Sequence, residues 1–474
     1  MLAPAYQADV VIVGAGVAGL SAAHRLTSQG VTVAVLEAAP GVGGRMSTEK
    51  VDGFRLDRIG QLLSTAYPEL RLTPGLDGLV LRPFAPGVLL HGDGRHHRVD
   101  APADARSARG ALRAVRALAS APRGVPGPGL VAASRRAAFR VLPGAGQATA
   151  SRAPRGTTPL GGAVDQARLG AALTRLAHVP VERLLARREL PAGQALAARG
   201  LPARTIDGFL RPLLAALLCD PALTTSSRCA DLALRAFAGG RLCVPEGGAE
   251  TLPELLAQTL PAGTVHTGVR VTSVATTSVT TAEHGEVRCR AVLLATDARA
   301  AAGLLPGLRV PDFHPVTVVH HTTDDPPRTG SALLLDADRG GPVAHTAVVS
   351  EVDPSRAPAG RALISSTVLG TPPSDLEAAV RTHLARLYGT STHRWETLAV
   401  HHTREAVPAM PAPHDLRRPV RLLAGLYVCG DHRDTSTVQG ALHSAHRATT
   451  AILKDLGASG SLHRADPAPT AQAA

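Results

Sequence analysis

The feature that most constrains this chain is a short apolar run that ends in three spaced glycines. Residues 9–13 read DVVIV, and Gly14, Gly16 and Gly19 follow with the spacing G-x-G-x-x-G. Because short β-branched runs are typical of buried parallel strands, this order predicts a strand, a tight turn and a helix. Such a turn lets the backbone approach a pyrophosphate, to which the start of the helix offers free N–H groups.

A helix and a second strand complete the predicted βαβ unit. Apolar residues recur at helical spacing after the turn, and Gly30 is placed to end that helix. The next run, residues 31–37, reads VTVAVLE and closes on Glu37. An acid at this point is positioned to accept hydrogen bonds from ribose hydroxyls, whereas it repels a 2′-phosphate. NADP is therefore disfavoured, and NAD and FAD remain.

Two features farther along the chain distinguish NAD from FAD. Residues 43–45 read GGR, so glycines again permit a close approach and Arg45 supplies a fixed fork of donors for a phosphate. Near the other end of the chain, Gly430 and Asp431 follow an apolar run, and a new helix is predicted near Val438. An NAD site does not need this return of the C-terminal region, so the combination favours FAD.

Composition excludes some classes of partner. The formal net charge is +12, but lysine occurs only at Lys50 and Lys454, and the other basic residues are arginines. Aromatic residues make up 2% of the chain, and no interleaving of arginine with aromatic residues typical of RNA binding occurs. We therefore expect no nucleic-acid partner and attribute the charge to compositional bias.

Cysteine and histidine placement gives two further expectations. The five cysteines form no C-x-x-C pair, and the first residues lack the pattern of a signal peptide, so we expect a cytoplasmic protein. Histidine pairs occur at 96–97, 320–321 and 401–402. Adjacent residues on a strand point to opposite faces, so each pair offers one ligand at most, and no metal site is predicted.

Several longer stretches resemble the flavin-dependent superfamily of amine oxidases, protoporphyrinogen oxidases and phytoene desaturases. They include VVIVGAGVAGLSAAHRL, VLEAAPGVGGRM, FRLDRIGQLLSTAYPEL, CVPEGGAETLPELLAQTLP, AVLLATD and GLYVCGDHRDTSTVQGALHSAHRAT. The resemblance implies FAD as cofactor, with Val271 contacting the adenine end through its backbone. The residues that it places around FAD are Gly14, Ala15, Gly16, Val17, Ala18, Gly19, Glu37, Ala38, Gly44, Arg45, Gly60, Gln61, Val271, Gly430, Asp431 and Val438.

The same resemblance implies an α/β architecture. A Rossmann-like FAD-binding domain is expected from discontinuous segments, with an inserted α+β substrate domain built on an antiparallel sheet with covering helices, and substrate between the two. The predicted FAD-binding segments are 1–75, 240–310 and 420–456, and the predicted substrate segments are 76–239 and 311–419. Part of 101–165 is predicted to be a mobile surface segment, and 457–474 a disordered tail.

Departures from the family pattern bear on the chemistry. Many amine oxidases of this superfamily keep a lysine on the first strand after the AVLLATD-like segment, whereas the comparable stretch here, FHPVTVVHHTT, has none. His320 or His321 is the candidate replacement. Many also have an aromatic cage, but Trp395 has no second aromatic residue in the segment that follows it.

These departures favour an FAD-dependent desaturase or oxidase that removes a hydride from a C–H bond of a small lipophilic substrate. Amine oxidation proper remains open, as does a non-redox isomerase of the UDP-galactopyranose mutase type. A binding protein that keeps the fold, like the Rab dissociation-inhibitor relatives, is a further class. The apolar stretch 207–218 suggests peripheral contact with a membrane surface. The sequence assigns neither the catalytic side chains nor the oligomeric state.

Overall fold

The structure, a computed structural model, describes residues 8–100 and 159–457, which form two compact units. The first unit comprises the segment up to Arg82, Cys243–Val316 and the segment from His401 onward. The second comprises Pro83–Leu242 and Thr317–Val400. Most of the predicted mobile segment 101–165, and all but the first residue of the predicted tail 457–474, lie outside the described residues.

The first unit contains most of the parallel strands, and element labels follow chain order. Its strands are β1 (Val10–Val13), β2 (Val33–Glu37), β3 (Thr48–Val51), β4 (Phe54–Asp57), β5 (Leu63–Ser64), β6 (Leu81–Pro83), β9 (Leu242–Pro245), β10 (Val265–Thr267), β11 (Val271–Val274), β12 (Ser278–Thr281), β13 (Gly285–Arg288), β14 (Ala291–Leu294), β20 (Arg421–Leu423) and β21 (Leu426–Val428). Its helices are α1 (Val17–Thr27), α2 (Glu69–Leu72), α9 (Thr251–Gln258), α10 (Ala298–Leu304) and α13 (Val438–Leu456).

A six-stranded sheet in the order β10-β2-β1-β14-β21-β20 organises the first unit. Strand β1 pairs in parallel with β2 on one side and with β14 on the other, and all four of its residues are buried. Strand β21 is parallel to β14, and only the edge strand β20 runs antiparallel to its neighbour. Because parallel strands end at the same edge of a sheet, the segments that follow β1, β2, β14 and β21 meet at one edge.

Helices α1 and α13 cover this sheet through one shared core. Leu20 and Leu26 of α1 pack in the same buried cluster as Leu442 and Ala445 of α13, together with Leu293 of β14. The apolar positions recognised in the sequence of α1 therefore face the core, as their helical spacing predicts.

The second unit is built on a seven-stranded sheet in the order β19-β15-β18-β17-β16-β7-β8. Its strands are β7 (Val88–Gly92), β8 (Arg95–Val99), β15 (Phe313–Thr323), β16 (Leu334–Asp336), β17 (Val343–Val348), β18 (Ala362–Leu369) and β19 (Glu396–Pro408). Its helices are α3 (Ala163–His178), α4 (Val181–Leu185), α5 (Ala192–Ala198), α6 (Ala203–Thr205), α7 (Arg211–Leu218), α8 (Ser227–Gly239), α11 (Val349–Val352) and α12 (Leu376–Tyr388).

The expectation of an antiparallel sheet needs one correction. The pairs β7–β8, β16–β17 and β17–β18 are antiparallel, but β7 and β16 run parallel. Parallel neighbours need a long connection, and more than two hundred residues separate these two strands along the chain. A pairing between such distant strands leaves no local pattern in the sequence.

The apolar stretch 207–218, for which we expected peripheral membrane contact, packs largely in the interior of the second unit. A π-helical turn, Ile206–Leu210, leads into α7, and Phe209, Leu213 and Leu214 are fully buried. These three side chains therefore provide no exposed apolar surface that could contact a membrane. Among the described residues, no helix combines the length and the apolar character needed to cross a bilayer.

Candidate functional site

The three glycines after β1 have two different roles. Gly14 has a φ of +105°, and a Cβ there would lie 3.0 Å from the carbonyl oxygen of Ala295. A Cβ on Gly19 would lie 2.0 Å from the carbonyl oxygen of Gly14, so α1 packs directly on the turn. Around Gly16, in contrast, a Cβ would meet no protein atom within 4 Å. Gly14 and Gly19 are thus required by the fold, whereas Gly16 leaves room for a ligand.

A cavity of about 660 Å³ in the first unit opens where Gly16 faces it. This volume is in the range usual for small-molecule and cofactor sites. The predicted residues that line the cavity are Gly14, Gly16, Val17, Ala18, Glu37, Ala38, Gly44, Arg45, Gly60, Gln61, Val271, Gly430, Asp431 and Val438. Ala15 and Gly19 are not among the lining residues, because they hold the turn itself together.

Glu37 lies at the end of β2 and is fixed by two backbone groups. The Ala15 N–H donates to its Oε2 at 2.8 Å, and the Ala39 N–H donates to its Oε1 at 2.8 Å. Each carboxylate oxygen keeps a further lone pair, and a carboxylate only accepts hydrogen bonds. Hydroxyl groups, such as those of a ribose, are therefore suitable partners at this wall of the cavity.

Arg45 and Asp431 meet although 386 residues separate them. The Arg45 Nη2 donates to Asp431 Oδ1 at 2.7 Å, and its Nη1 donates to the Ala406 carbonyl oxygen at 2.8 Å. Burial disfavours the charge of Arg45, but the Asp431 carboxylate outweighs it and raises the pKa of the guanidinium. The Arg45 side chain is still 35% exposed and lines the cavity, and it has N–H donors beyond the two used in these bonds.

The contact with Ala406 also concerns the predicted domain division. The sequence predicts that residues 401–419 belong to the substrate domain, whereas in the structure they belong to the first unit, as do 76–82 and 311–316. Strand β19 starts in the second unit and its last residues, including Ala406, continue into the first, where Ala406 lines the cavity. Nothing in the sequence of this segment signals that role.

The start of α13 faces the same cavity. Thr437 caps the helix by accepting a hydrogen bond from the Gly440 N–H at 3.2 Å, and Val438 and Ala441 line the cavity. Gly430 has a φ of +135°, and its N–H donates to Ser444 Oγ at 2.9 Å. The helix start thus adds a second positive dipole end to that of α1.

Sequence reasoning missed several lining residues. Thr296 and Asp297 follow β14 directly, and Asp297 caps α10 by accepting the N–H groups of Arg299 and Ala300 at 2.9 Å each. Ligands of parallel sheets bind beyond the carboxyl ends of the strands. Polar residues directly after a buried strand are therefore a signal from which this position could be predicted. Gly43, which belongs to the GGR motif, lines the cavity as well. The other lining residues outside the predicted set carry no comparable signal: Val13, Leu36, Met46, Ile59, Ala249, Val269, Arg270, Ala295, Ala300, Gly303, Leu304, Ala406, Thr437 and Ala441.

His432 follows Asp431 and is buried beneath Gly430. Neither ring nitrogen has a hydrogen-bond partner among the described residues, and burial lowers the pKa of His432 to about 4. A Cβ on Gly430 would lie 2.7 Å from this ring. His432 is therefore a neutral imidazole that supports the turn rather than a residue lining the cavity.

The other singled-out residues are distributed over both units. His320 Nδ1 lies 2.9 Å from Ser365 Oγ, and burial lowers the pKa of His321 to about 4. Trp395 is a core residue of the second unit, with Tyr388 and His321 rings at 5.8 and 6.0 Å. In the first unit, His401 Nε2 lies 2.8 Å from Glu49 Oε2.

The site can be tested for its fit to a flavin dinucleotide from this geometry alone. A wall without side chains at Gly16 and Gly44, two helix starts, a fixed acid at Glu37 and the Arg45–Asp431 pair line one cavity. The backbone N–H groups and Arg45 suit phosphates, while the carboxylates suit hydroxyl donors. The residues present therefore fit such a cofactor, although binding by each of them stays a prediction.

Comparison with known proteins places the chain in a family. The model of the family "Flavin containing amine oxidoreductase" matches residues 17–453. Putrescine oxidase from Kocuria rosea is 53% identical over 66 residues, which cover 14% of each chain. The zeta-carotene-forming phytoene desaturase of Myxococcus xanthus is 54% identical over 48 residues, which cover 10% of this chain and 9% of that protein.

A solved structure of putrescine oxidase bound to putrescine has a TM-score of 0.63 to this chain at 19% identity. The likeness covers 94% of this chain and 99% of that one, and at this identity it concerns the fold. The strong sequence matches are thus short, whereas the fold and the family model extend over almost the entire chain. The chain belongs to the flavin-containing amine oxidoreductase family, whose members use a flavin cofactor.

Proposed function

We propose that this protein binds FAD in the cavity of the first unit and removes a hydride equivalent from a C–H bond of a small lipophilic substrate. The proposed reaction is that of a desaturase or an oxidase and converts a C–C or C–N bond. The observation that carries it is the open space at Gly16, flanked by Glu37 and by the Arg45–Asp431 pair.

Each part of the cavity is suited to one part of FAD. The pyrophosphate is assigned to the N–H groups at the start of α1 beside Gly16, and the adenosine ribose to Glu37. Arg45 supplies a fixed cation for a phosphate, and Asp431 supplies an acceptor for the hydroxyls of the ribityl chain. The bound flavin supplies the two-electron acceptance, and the protein positions the substrate and limits water.

The two lysines of the chain support desaturation over amine oxidation. Lys50 is exposed and lies 3.0 Å from Glu250, and Lys454 is in the last turn of α13. Neither lines the cavity. The lysine that many amine oxidases keep near the flavin therefore has no counterpart, and the match to a phytoene desaturase agrees with this reading.

Amine oxidation remains the second candidate, because a specific match favours it. The stretch shared with putrescine oxidase is longer than the one shared with the desaturase, 66 against 48 residues. Both stretches cover a seventh or less of each protein, so the substrate of neither relative transfers directly.

Anaerobic reduction of the purified flavoprotein tests the proposal. Flavin released by denaturation should co-elute with FAD rather than FMN. Bleaching of the flavin absorbance should then be fast with polyene or porphyrinogen substrates and slow with putrescine and simple monoamines. Fast bleaching by amines alone would establish the second candidate instead, and a protein that retains no flavin would overturn both.

A further inference from the structure

Three side chains of the second unit converge at one end of its sheet: His91, Asp336 and Asp338, here called the His91 cluster. Strands β7 and β16 pair in parallel, and their register sets His91 opposite Asp336. His91 Nδ1 lies 4.0 Å from Asp336 Oδ1 and 3.8 Å from Asp338 Oδ2. One potential ligand atom from each residue lies within 4.8 Å of the other two.

His91 is buried without a direct partner for this nitrogen. Its relative exposure is 3%, and Nδ1 makes no hydrogen bond within the described part of the chain. Both carboxylate oxygens that Nδ1 faces are beyond hydrogen-bonding distance. Buried polar atoms of native proteins are nearly always satisfied, so this orphaned nitrogen indicates a missing partner between the three side chains.

The two carboxylates are held in place by groups outside the cluster. Asp336 Oδ2 accepts the Gly340 N–H at 2.7 Å and lies 3.1 Å from His383 Nε2. The Val343 N–H donates to His383 Nδ1 at 3.1 Å and fixes the position of this ring beside Asp336. Such outer partners orient metal ligands and tune their basicity.

Asp338 is fixed from the other side of the cluster. Its Oδ2 accepts the N–H of Asp93 at 3.0 Å. Asp93 and Gly94, with φ values of 51° and 67°, form the two-residue turn between β7 and β8. The side chain of Asp338 is 42% exposed, so one side of the cluster is open to water.

We propose that His91 Nδ1 and one carboxylate oxygen each from Asp336 and Asp338 bind a divalent cation of the Zn²⁺ and Mn²⁺ class. Ligand atoms that each lie about 2.1 Å from one ion are at most about 4.2 Å apart. The separations of His91 Nδ1 from the two carboxylate oxygens, 4.0 and 3.8 Å, fall inside this limit, and the two carboxylate oxygens lie within 4.8 Å of each other. Imidazole combined with carboxylates suits these ions. Water completes the coordination on the exposed side.

The charges around the cluster define the competing arrangement. Two carboxylates carry the negative charge, while Arg386 packs against Gly340 and the ring of His96 lies 5.9 Å from that of His91. The competing arrangement is a protonated His91 that neutralises the same carboxylates without an ion, and burial, which lowers the pKa of this ring, disfavours it.

The ion would join the turn after β16 to the β7–β8 hairpin. The sequence predicts no metal site, because adjacent histidines offer one ligand at most and no carboxylate lies near a histidine at a suitable spacing along the chain. His91 and Asp336 are 245 residues apart (336 − 91), and only the pairing of β7 with β16 brings them together.

Metal titration of the flavin-bound protein tests this proposal independently of the proposed function. After chelator treatment and its removal by dialysis, Mn²⁺ is added and the free ion is measured by electron paramagnetic resonance, followed by displacement with Zn²⁺. We expect one saturable site per chain. Asp338→Asn should weaken binding at least about tenfold, because it removes a charged ligand and keeps the shape of the side chain.

Asp93→Asn is the matched control, since it makes the same change of charge in the adjoining turn and keeps a residue that tolerates a positive φ. It should bind Mn²⁺ like the unaltered protein, and unchanged Trp395 fluorescence would show that both variants fold. The proposal is overturned if the unaltered protein binds no Mn²⁺ or Zn²⁺ at millimolar concentration. Equal binding by Asp338→Asn would overturn it as well, since the ion would then occupy other side chains.

Discussion

The two units of this protein build their polar sites in different ways. In the first unit, backbone groups contribute to the cavity wall: a glycine without a side chain, two helix starts and the N–H groups that hold Glu37. In the second unit, buried polar side chains such as Asp231 and Asp336 are held by groups from other parts of the chain. The first arrangement requires particular residues at fixed local spacing, whereas the second requires only that distant strands and helices meet.

The largest expected effect concerns the glycines of the first unit. Gly19→Ala places a Cβ 2.0 Å from the Gly14 carbonyl oxygen. Since only backbone movement can relieve this contact, we expect the free energy of unfolding to fall by at least about 3 kcal/mol. Urea unfolding followed by circular dichroism measures it.

Gly16→Ala is the matched control for that variant. Its Cβ meets no protein atom within 4 Å, and the backbone angles of Gly16, φ −76° and ψ 176°, suit alanine. Stability without flavin should stay within about 0.5 kcal/mol of the unaltered protein, whereas flavin retention should be lost. Full flavin retention by Gly16→Ala would show that the open space at this glycine does not serve the cofactor.

The next effect concerns the buried histidines of the second unit. Burial lowers the pKa of His345 to about 4, and burial with the nearby Arg381 lowers that of His321 to about 4. The unfolded chain takes up these protons below about pH 6.5, while the folded chain does not until about pH 4. The two neutral rings therefore contribute their full stabilisation above pH 6.5. As the pH falls from 6.5 to 4, the free energy of unfolding decreases by up to about 2.7 kcal/mol per pH unit for the two groups.

Trp395, the single tryptophan of the chain, reports on this unit because it packs against His321. Urea unfolding followed by its fluorescence across the acidic window gives the pH slope. His345→Leu should reduce the slope by about half, while the exposed His393→Leu should leave it unchanged. A slope that is insensitive to His345→Leu would mean that this ring does not stay neutral in the folded state.

The smallest of the three effects concerns Asp231, a buried residue whose carboxylate forms ion pairs with two arginines. Its Oδ1 lies 2.6 Å from Arg199 Nη1, and its Oδ2 lies 2.7 Å from Arg187 Nη1. Asp231→Asn keeps the shape but removes the charge, so Trp395-monitored unfolding should show a loss of about 2 kcal/mol. Both arginines are partly exposed, which keeps the loss below that of a fully buried pair.

Asp324→Asn provides the comparison for Asp231→Asn. Asp324 pairs with Arg394 at 2.9 Å, but both side chains are more than half exposed. Its loss should stay within about 0.5 kcal/mol. If the two variants lost the same stability, burial would not be what makes the Asp231 contacts matter.

Much of the first unit could be predicted because its constraints are local. The order of β1, α1 and β2 follows from a β-branched run, three glycines and a helical repeat within about thirty residues. Gly60 and Gln61, named from resemblance alone, also line the cavity. Ala406 could not be predicted, because what it contributes is a backbone carbonyl, which every residue has.

The second unit shows the limit of sequence reasoning. The apolar stretch 207–218 divides into part of a π-helical turn and α7, and this division and the burial of most of its apolar side chains depend on the elements around it. The pairing of β7 with β16, on which the His91 cluster rests, joins strands whose own sequences specify no partner. Strand register is set by the faces that become buried together, which is a property of the folded unit.

The sequence by itself determined that this chain begins with a dinucleotide-type cradle and that Glu37 closes it. Glycine spacing decides this, because glycine readily adopts the positive φ at Gly14 and leaves room at Gly19 for the close contact with the Gly14 carbonyl oxygen. Only the tertiary structure decided that Arg45 meets Asp431 and that His91 faces Asp336. Those contacts link residues hundreds of positions apart, and parallel strand pairing, not local spacing, sets which side chains become neighbours.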